Sequence, residues 1–308
     1  MIPTISTLPA VSSWGALAVQ GSTVCAVGDG TKVGTSEDGV TWALQSCFDL
    51  DGGWPAIASN GSKFCAVSDW GVDVATSPDG VTWAKSAIPL WTREPAMASN
   101  GDIFCVVSSN RNVAQTSPDG VTWTSRTLPV YMSVPAILWN GSMFCAVSGA
   151  YDSVVLSADG ITWTGPYAIP GNQFDNGCRI AWNGSVFCVV SWYGQYAVTS
   201  PDGITWTPRT IPKGEGYPLI ASNGTIFCAL LWDNVVGTST DGITWTEHNL
   251  PLLRTWSDLI WTGTVFVLIA YNSDTVLTSP DGTFVDYELV PPTAPPFWTN
   301  FSGQTESL

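Results

Sequence analysis

The chain has 308 residues and few charges for its size, 10 Lys and Arg against 25 Asp and Glu, with a formal net charge of −15. So few cations exclude a nucleic-acid surface, which needs clustered Lys and Arg, and disfavour adsorption to an anionic membrane. They also argue against helical architecture, whose polar faces are built from Lys, Glu and Arg, while 45% apolar residues suffice for a folded core.

In chain order, Met1 to Val19 carries no basic residue (the first is Lys32) and no sustained apolar run. No secretory signal is therefore expected, and synthesis in the cytoplasm is. Within that stretch Thr4–Pro9 matches the end of a later outer strand, Thr124–Pro129, and is expected to help seal a closed fold. From Trp14 to Val290 a unit of about 40 residues recurs, a period that belongs to solenoids or propellers. Its most regular part is Ser-x-Asp-Gly-x-Thr-Trp, as in Ser36–Trp42 and Ser77–Trp83, with further copies centred on Asp119, Asp159, Asp202 and Asp241. A degenerate seventh copy, Ser279–Phe284, ends in Phe in place of Trp.

About 20 residues before each Asp stands Asn-Gly or a variant of it, as in Asn60-Gly61 and Asn100-Gly101. Asn-Gly between apolar runs signals a tight hairpin, expected as a type I′ turn with positive φ at both residues. The second copy then reads as strands over Ile57–Ser59, Phe64–Val67, Val72–Ser77 and Thr82–Ile88. Seven such units predict an all-β, seven-bladed β-propeller with four antiparallel strands per blade, a single domain over residues 1–290. Phe284–Leu289 offers a fourth strand to the last blade in competition with Thr4–Pro9. The Pro-rich residues 291–308 are expected as an extended tail that lies on the propeller or reaches a partner.

Six of the eight Cys (25, 65, 105, 145, 188 and 228) share one repeat position, where the seventh copy has Val267. Cys interchangeable with Val acts as a small buried hydrophobe, so all eight, Cys47 and Cys178 included, are expected as thiols of a reducing compartment. No His and Cys spacing suits a metal, and no cofactor is expected.

The repeated heptapeptide resembles the Asp-box (BNR repeat) of sialidase-type propellers, whose usual form has one more residue between Asp and Gly. The resemblance covers all seven copies and implies a folding motif between the third and fourth strands, away from any active site. It also implies an alternative activity, a sialidase-like glycoside hydrolase holding a substrate carboxylate with three Arg from different blades. Here the first two blades contribute no Arg, and only Arg93, Arg111, Arg179 and Arg254 are candidates. The family's early Arg motif has no match, and its propellers have six blades.

The Asn-Gly and Pro-Asp-Gly turns share one face of the disc and are nearly uniform. The loops joining strands two and three, and each blade to the next, share the other face and vary. On that face the candidate binding residues are the rings Trp14, Trp54, Trp70, Trp91, Tyr151, Trp192, Tyr193, Tyr217, Trp232, Trp256 and Tyr271. With them stand Arg93, Arg111, Asp152 and Asp233. Trp14, Trp54, Tyr217 and Trp256 share the repeat position before the innermost strand and are expected around the mouth of the central channel. Aromatic platforms beside carboxylates and amides suit sugars, whose C–H faces stack while their hydroxyls need partners.

The expected function is a non-catalytic, lectin-like module that binds a glycan or cell-surface polysaccharide through this face. The repeat style also resembles proteins of phage tails and bacterial surfaces. That resemblance implies a host-recognition protein of a virus tail, or a structural scaffold meeting other virion proteins through the C-terminal tail.

Overall fold

The structure, a computed structural model, describes residues 3–47, 56–149, 151–171, 174, 177–191, 196–212, 219–232, 234–284 and 288–289. The tail 291–308 and the loop residues Trp54, Trp192, Tyr193, Tyr217 and Asp233 lie outside the described residues. Seven sheets form a seven-bladed propeller, six of four antiparallel strands and one of five whose outermost pair is parallel. No helix occurs among the described residues.

The second blade shows how the sequence builds the unit, with strands Ala56–Ser59, Phe64–Val67, Gly71–Ser77 and Ala84–Thr92 from channel to rim. Phe64–Val67 is buried at every position, because neighbouring blades cover both of its faces. The outer strand alternates instead, burying Ile88 and Thr92 while Lys85 faces water. It runs four residues beyond the expected Ile88, and a register shift between Gly71 and Asp73 accommodates the extra length.

The Asn-Gly hairpin is not the expected type I′ turn. Only Gly61 takes positive φ, at 84°, because the Asn60 side chain does the remaining work. Its Oδ1 accepts the N–H groups of Ser62 at 3.1 Å and Lys63 at 3.0 Å, closing an Asx turn. At the other turn of the blade, Asp79 Oδ1 accepts Val81 N–H at 2.8 Å and Thr82 N–H at 2.7 Å. Ser77 Oγ accepts Gly80 N–H at 2.8 Å, and Trp83 Nε1 donates to Gly80 O at 2.9 Å. The N–H groups of Thr82 and Val81 hold the Asp79 carboxyl below its ordinary range. The same bonding recurs around Asp38, Asp119, Asp159, Asp202 and Asp241. These aspartates are therefore occupied by their own turns.

Each turn also plugs into the preceding blade. A Cβ on Gly120 would lie 2.4 Å from Thr76 Cγ2 and 3.3 Å from Cys65 Sγ. The cysteine position is thus a floor on which the next blade's turn rests, which explains why small apolar residues occupy it. Seven of the eight cysteines, all but the half-buried Cys47, are buried thiols. Burial pushes them up, Cys178 and Cys188 to about 12.

The innermost strands touch in sequence around the channel and return from the seventh blade to the first. Both closing segments are used. Thr4–Ser12 lies antiparallel to Ser273–Ser279 as the fourth strand of blade seven, and Glu288–Leu289 pairs parallel on its outer side as a fifth. Leu8 of the N-terminal strand is buried with Trp14, Val267 and Val276 at the seam between blades seven and one.

Candidate functional site

The two faces of the disc differ as their turns require. On the uniform face, hairpin turns of blades one, two and five bond to the next blade's Asp turn: Gln20 Nε2 to Pro78 O at 2.8 Å, Lys63 Nζ to Asp119 O at 3.2 Å, Asn183 Nδ2 to Thr240 O at 2.8 Å. On the opposite face, the hairpins joining strands two and three turn left-handed, at Gly30 (φ 67°) in blade one and at a non-glycine residue in blades two, three, four and seven. It is Trp70 (φ 55°), Asn110 (φ 59°), Asp152 (φ 42°) or Asn272 (φ 49°). The connections into blades three and four do the same at Glu94 (φ 46°) and Val134 (φ 45°). Left-handed Trp and Val are strained; among the described residues six of the seven left-handed non-glycines lie on this face, the seventh being Phe284 (φ 54°) in the degenerate Asp turn of blade seven.

Side-chain bonds hold the strained loops together. Asp69 Oδ1 accepts the N–H groups of Trp70 at 3.0 Å and Glu94 at 2.7 Å, tying the blade-two hairpin to the chain entering blade three. One blade on, Ser109 plays that part, accepting Val134 N–H at 2.7 Å and donating to Glu94 Oε2 at 2.7 Å. Over this frame stand Trp70 and Trp91, each half exposed, edge to face with centroids 5.8 Å apart. The Arg93 guanidinium lies 4.6 Å above the Trp70 ring, with its Nε 3.7 Å from Glu94 Oε1. Arg111 Nε donates to Trp91 O at 3.1 Å. Four predicted residues thus form one patch. Tyr151 and Tyr271 are exposed elsewhere on the face, as is Tyr131.

Two expectations are corrected. Trp14 is 0% exposed and Trp256 2%, so neither stands at the channel mouth. Trp14 is sealed in the seam, its Nε1 donating to Ala10 O at 3.1 Å and its ring so near Gly28 that a Cβ there would lie 3.0 Å away. Trp256 packs between blades six and seven with Leu219, Leu230 and Phe284. The position before the innermost strand is where adjacent blades converge, and a large indole there is drawn into the joint. Asp152 is half buried within its hairpin, its carbonyl accepting Ile169 N–H at 2.7 Å. Trp232 ends the strand Phe227–Trp232.

The channel opens on the loop face as a cavity of about 720 Å³, lined by the starts of the innermost strands together with Asp69, Glu94, Val134 and Ser257. One repeat position faces it from blade after blade. It is Ala16, Ala56, Ala96 and Ala136 in blades one to four, Arg179 in blade five and Asp258 in blade seven. Sequence reasoning missed Asp258. The signal was an acid in a column of alanines, legible once the column is known to face the channel. Asp258 Oδ2 accepts Leu17 N–H at 2.7 Å across the seam, and Oδ1 accepts Leu259 N–H at 2.9 Å. Burial nevertheless raises its pKa to about 6, the two N–H groups and the Arg179 charge offsetting only part of the desolvation. Among the described residues no group of three His, Cys, Asp or Glu could hold a metal ion.

No known protein family and no curated protein matches the sequence. Solved structures match the fold. A virginiamycin B lyase from Staphylococcus aureus superposes with a TM-score of 0.77 at 13% identity, over 90% of this chain and 98% of that one. YCF48 bound to D1 peptide gives 0.69 at 14% identity, over 90% and 94% of the two chains. The GH74 enzyme of Niastella koreensis gives 0.60 at 16% identity, over 91% of this chain and 44% of that one. At such identities the likeness establishes the propeller alone, a scaffold shared by enzymes and a peptide-binding protein.

Proposed function

We propose that the protein is a non-catalytic recognition module that grips a protein segment on its loop face, with the Trp70–Trp91 patch as anchor. The observation that carries this reading is the pair of half-exposed indoles, fixed by the Asp69 bonds and flanked by Arg93 and Arg111. Trp, Tyr and Arg dominate protein hot spots, and covering the free half of each indole contributes about 2 kcal/mol. Binding of D1 peptide by YCF48 shows that a propeller of this shape can serve such a role. Against lyase chemistry stands the only histidine. The Staphylococcus lyase is inactive when one histidine is replaced by alanine. Here His248 lies on the outermost strand of blade six, its Nε2 bonded to Thr238 Oγ1 at 3.1 Å, remote from the channel.

A glycan is the second reading, favoured by the exposed Tyr131, Tyr151 and Tyr271, whose rings lie outside the Arg-capped pair. The Asp-box-like turns leave this choice open, since their aspartates are consumed by turn bonds. A virus tail or cell surface is the setting we propose for either ligand. A displayed random-peptide library and a glycan array, each screened with the native protein and a Trp70→Ala/Trp91→Ala variant, separate the readings. Peptides enriched by the native protein and lost in the variant support the proposal. Glycan hits without peptide hits transfer it to the second reading, and hits unchanged in the variant refute the patch.

A further inference from the structure

On the innermost strands the residues that line the channel are mostly alanines and aliphatics, which makes the two charges those strands carry conspicuous. Where the first four blades present Ala16, Ala56, Ala96 and Ala136, blade five presents Arg179 and blade seven Asp258, with the buried Leu219 of blade six between them. Arg179 is exposed within the cavity, and its Nη1 donates to the neighbouring Cys178 O at 3.1 Å. Among the described residues its other guanidinium N–H groups have no hydrogen-bond partner. Arg179 acts electrostatically on Asp258, yet the two form no ion-pair contact. Each Asp258 oxygen accepts one backbone N–H and keeps a lone pair free. A gap bounded by a donor fork and a carboxylate is thus held open by two blades of a rigid propeller.

Charge complementarity selects what fits. A simple anion drawn to Arg179 meets Asp258, Asp69 and Glu94 around the same cavity, and a simple cation drawn to those acids meets Arg179. A neutral ligand leaves both charges desolvated without recompense. We propose that the channel is a binding site for a free α-amino acid, its carboxylate on the Arg179 guanidinium and its ammonium on Asp258. The bidentate match of guanidinium to carboxylate fixes one end. Ala96, Met97 and Ile137 then form the apolar wall for the ligand's side chain, and about 720 Å³ is ample room. This site borders the Trp70–Trp91 patch through Asp69 and Glu94 but uses neither indole.

Thermal melting of the full chain with each of the twenty amino acids at 10 mM and pH 7.5 tests the assignment. One or more are expected to raise Tm by a few degrees. Blocking either end of the ligand, as its N-acetyl or its amide form, abolishes the shift. So does Arg179→Gln, whose response is read against its own unliganded Tm, because loss of the charge that favours ionised Asp258 is expected to lower that baseline slightly. The Trp70→Ala/Trp91→Ala variant retains the amino-acid response, so the two sites fail separately. The proposal is overturned if no free amino acid shifts Tm, if the blocked forms bind as well as the parent, or if Arg179→Gln responds like the native protein.

Discussion

Replacing Asp258 with Asn tests the electrostatics of the channel in the absence of any ligand. The carboxyl titrates near pH 6 in the folded chain against 3.8 in the unfolded one. Between those values the folded state holds a proton that the unfolded state has lost. Stability from this group is therefore fully present below pH 3.8, declines as pH rises, and is gone above 6. At about 1.36 kcal/mol per pH unit the full loss is about 3 kcal/mol, and water reaching the half-buried group through the channel reduces it toward about 1 kcal/mol. Asn keeps an oxygen for Leu17 N–H and carries no charge to desolvate, but it gives up the bond to Leu259 N–H, worth about 1 kcal/mol. The variant is thus expected to be slightly less stable than the native chain at pH 4 and at least as stable at pH 8. Urea titrations followed by tryptophan fluorescence supply the comparison. The turn aspartates and His248, whose pKa values are lowered, also bend each stability curve but cancel in the difference. Curves that remain parallel from pH 4 to pH 8 would show that Asp258 is not desolvated, and the account of the channel wall would fall with it.

Two further outcomes follow from the packing. Gly120→Ala forces a Cβ to 2.4 Å from Thr76 Cγ2 and is expected to cost at least about 3 kcal/mol. Gly61→Ala, equally left-handed but open to solvent, is expected to cost only about 1 kcal/mol, and equal losses in thermal melts would refute the plug-and-floor account of the blade joints. Trp14→Ala empties a sealed joint and is expected to lose about 3–5 kcal/mol, whereas Trp91→Ala keeps native stability within about 1 kcal/mol. Denaturant midpoints in the reverse order would exchange the structural and recognition roles assigned to these two indoles.

Those paired cases also mark how far the sequence could be read. The blades were legible because their signals are local. Asn60 and Asp79 complete their turns with their own side chains, within three residues of themselves. Closure was half legible: both terminal segments were recognisable as strands, but which lies inside the other depends on pairing across the whole chain. The indoles misled for a physical reason. Trp14 precedes the innermost strand of its blade and Trp91 lies near the end of an outermost one, and only the convergence of neighbouring blades at the start of the innermost strand buries the first while the second remains at the rim. Likewise, the double left-handed hairpin expected from Asn-Gly ignored the ability of the Asn side chain to replace a backbone conformation with two hydrogen bonds.

The contrast between the faces has a steric origin. On the uniform face each Asp-turn glycine meets the preceding blade, so a side chain there would crowd the joint. The loop face imposes a left-handed backbone with room beside it, and one hairpin position accepts Gly30, Trp70, Asn110 or Asn272, while blade four turns left-handed two residues later at Asp152. Variation there is what packing permits, so an unusual loop residue is weak grounds for a role. Asp258 belongs to a different class. It stands in a column of alanines on a rigid strand, where the channel wall charges for its ionisation. Its bonds to Leu17 and Leu259 offset only part of that penalty, since the carboxyl still titrates near 6. An alanine would close the wall without the penalty, as it does in four other blades. A charge held at that cost, with the Arg179 guanidinium lining the same cavity, marks a place where something other than packing sets the residue.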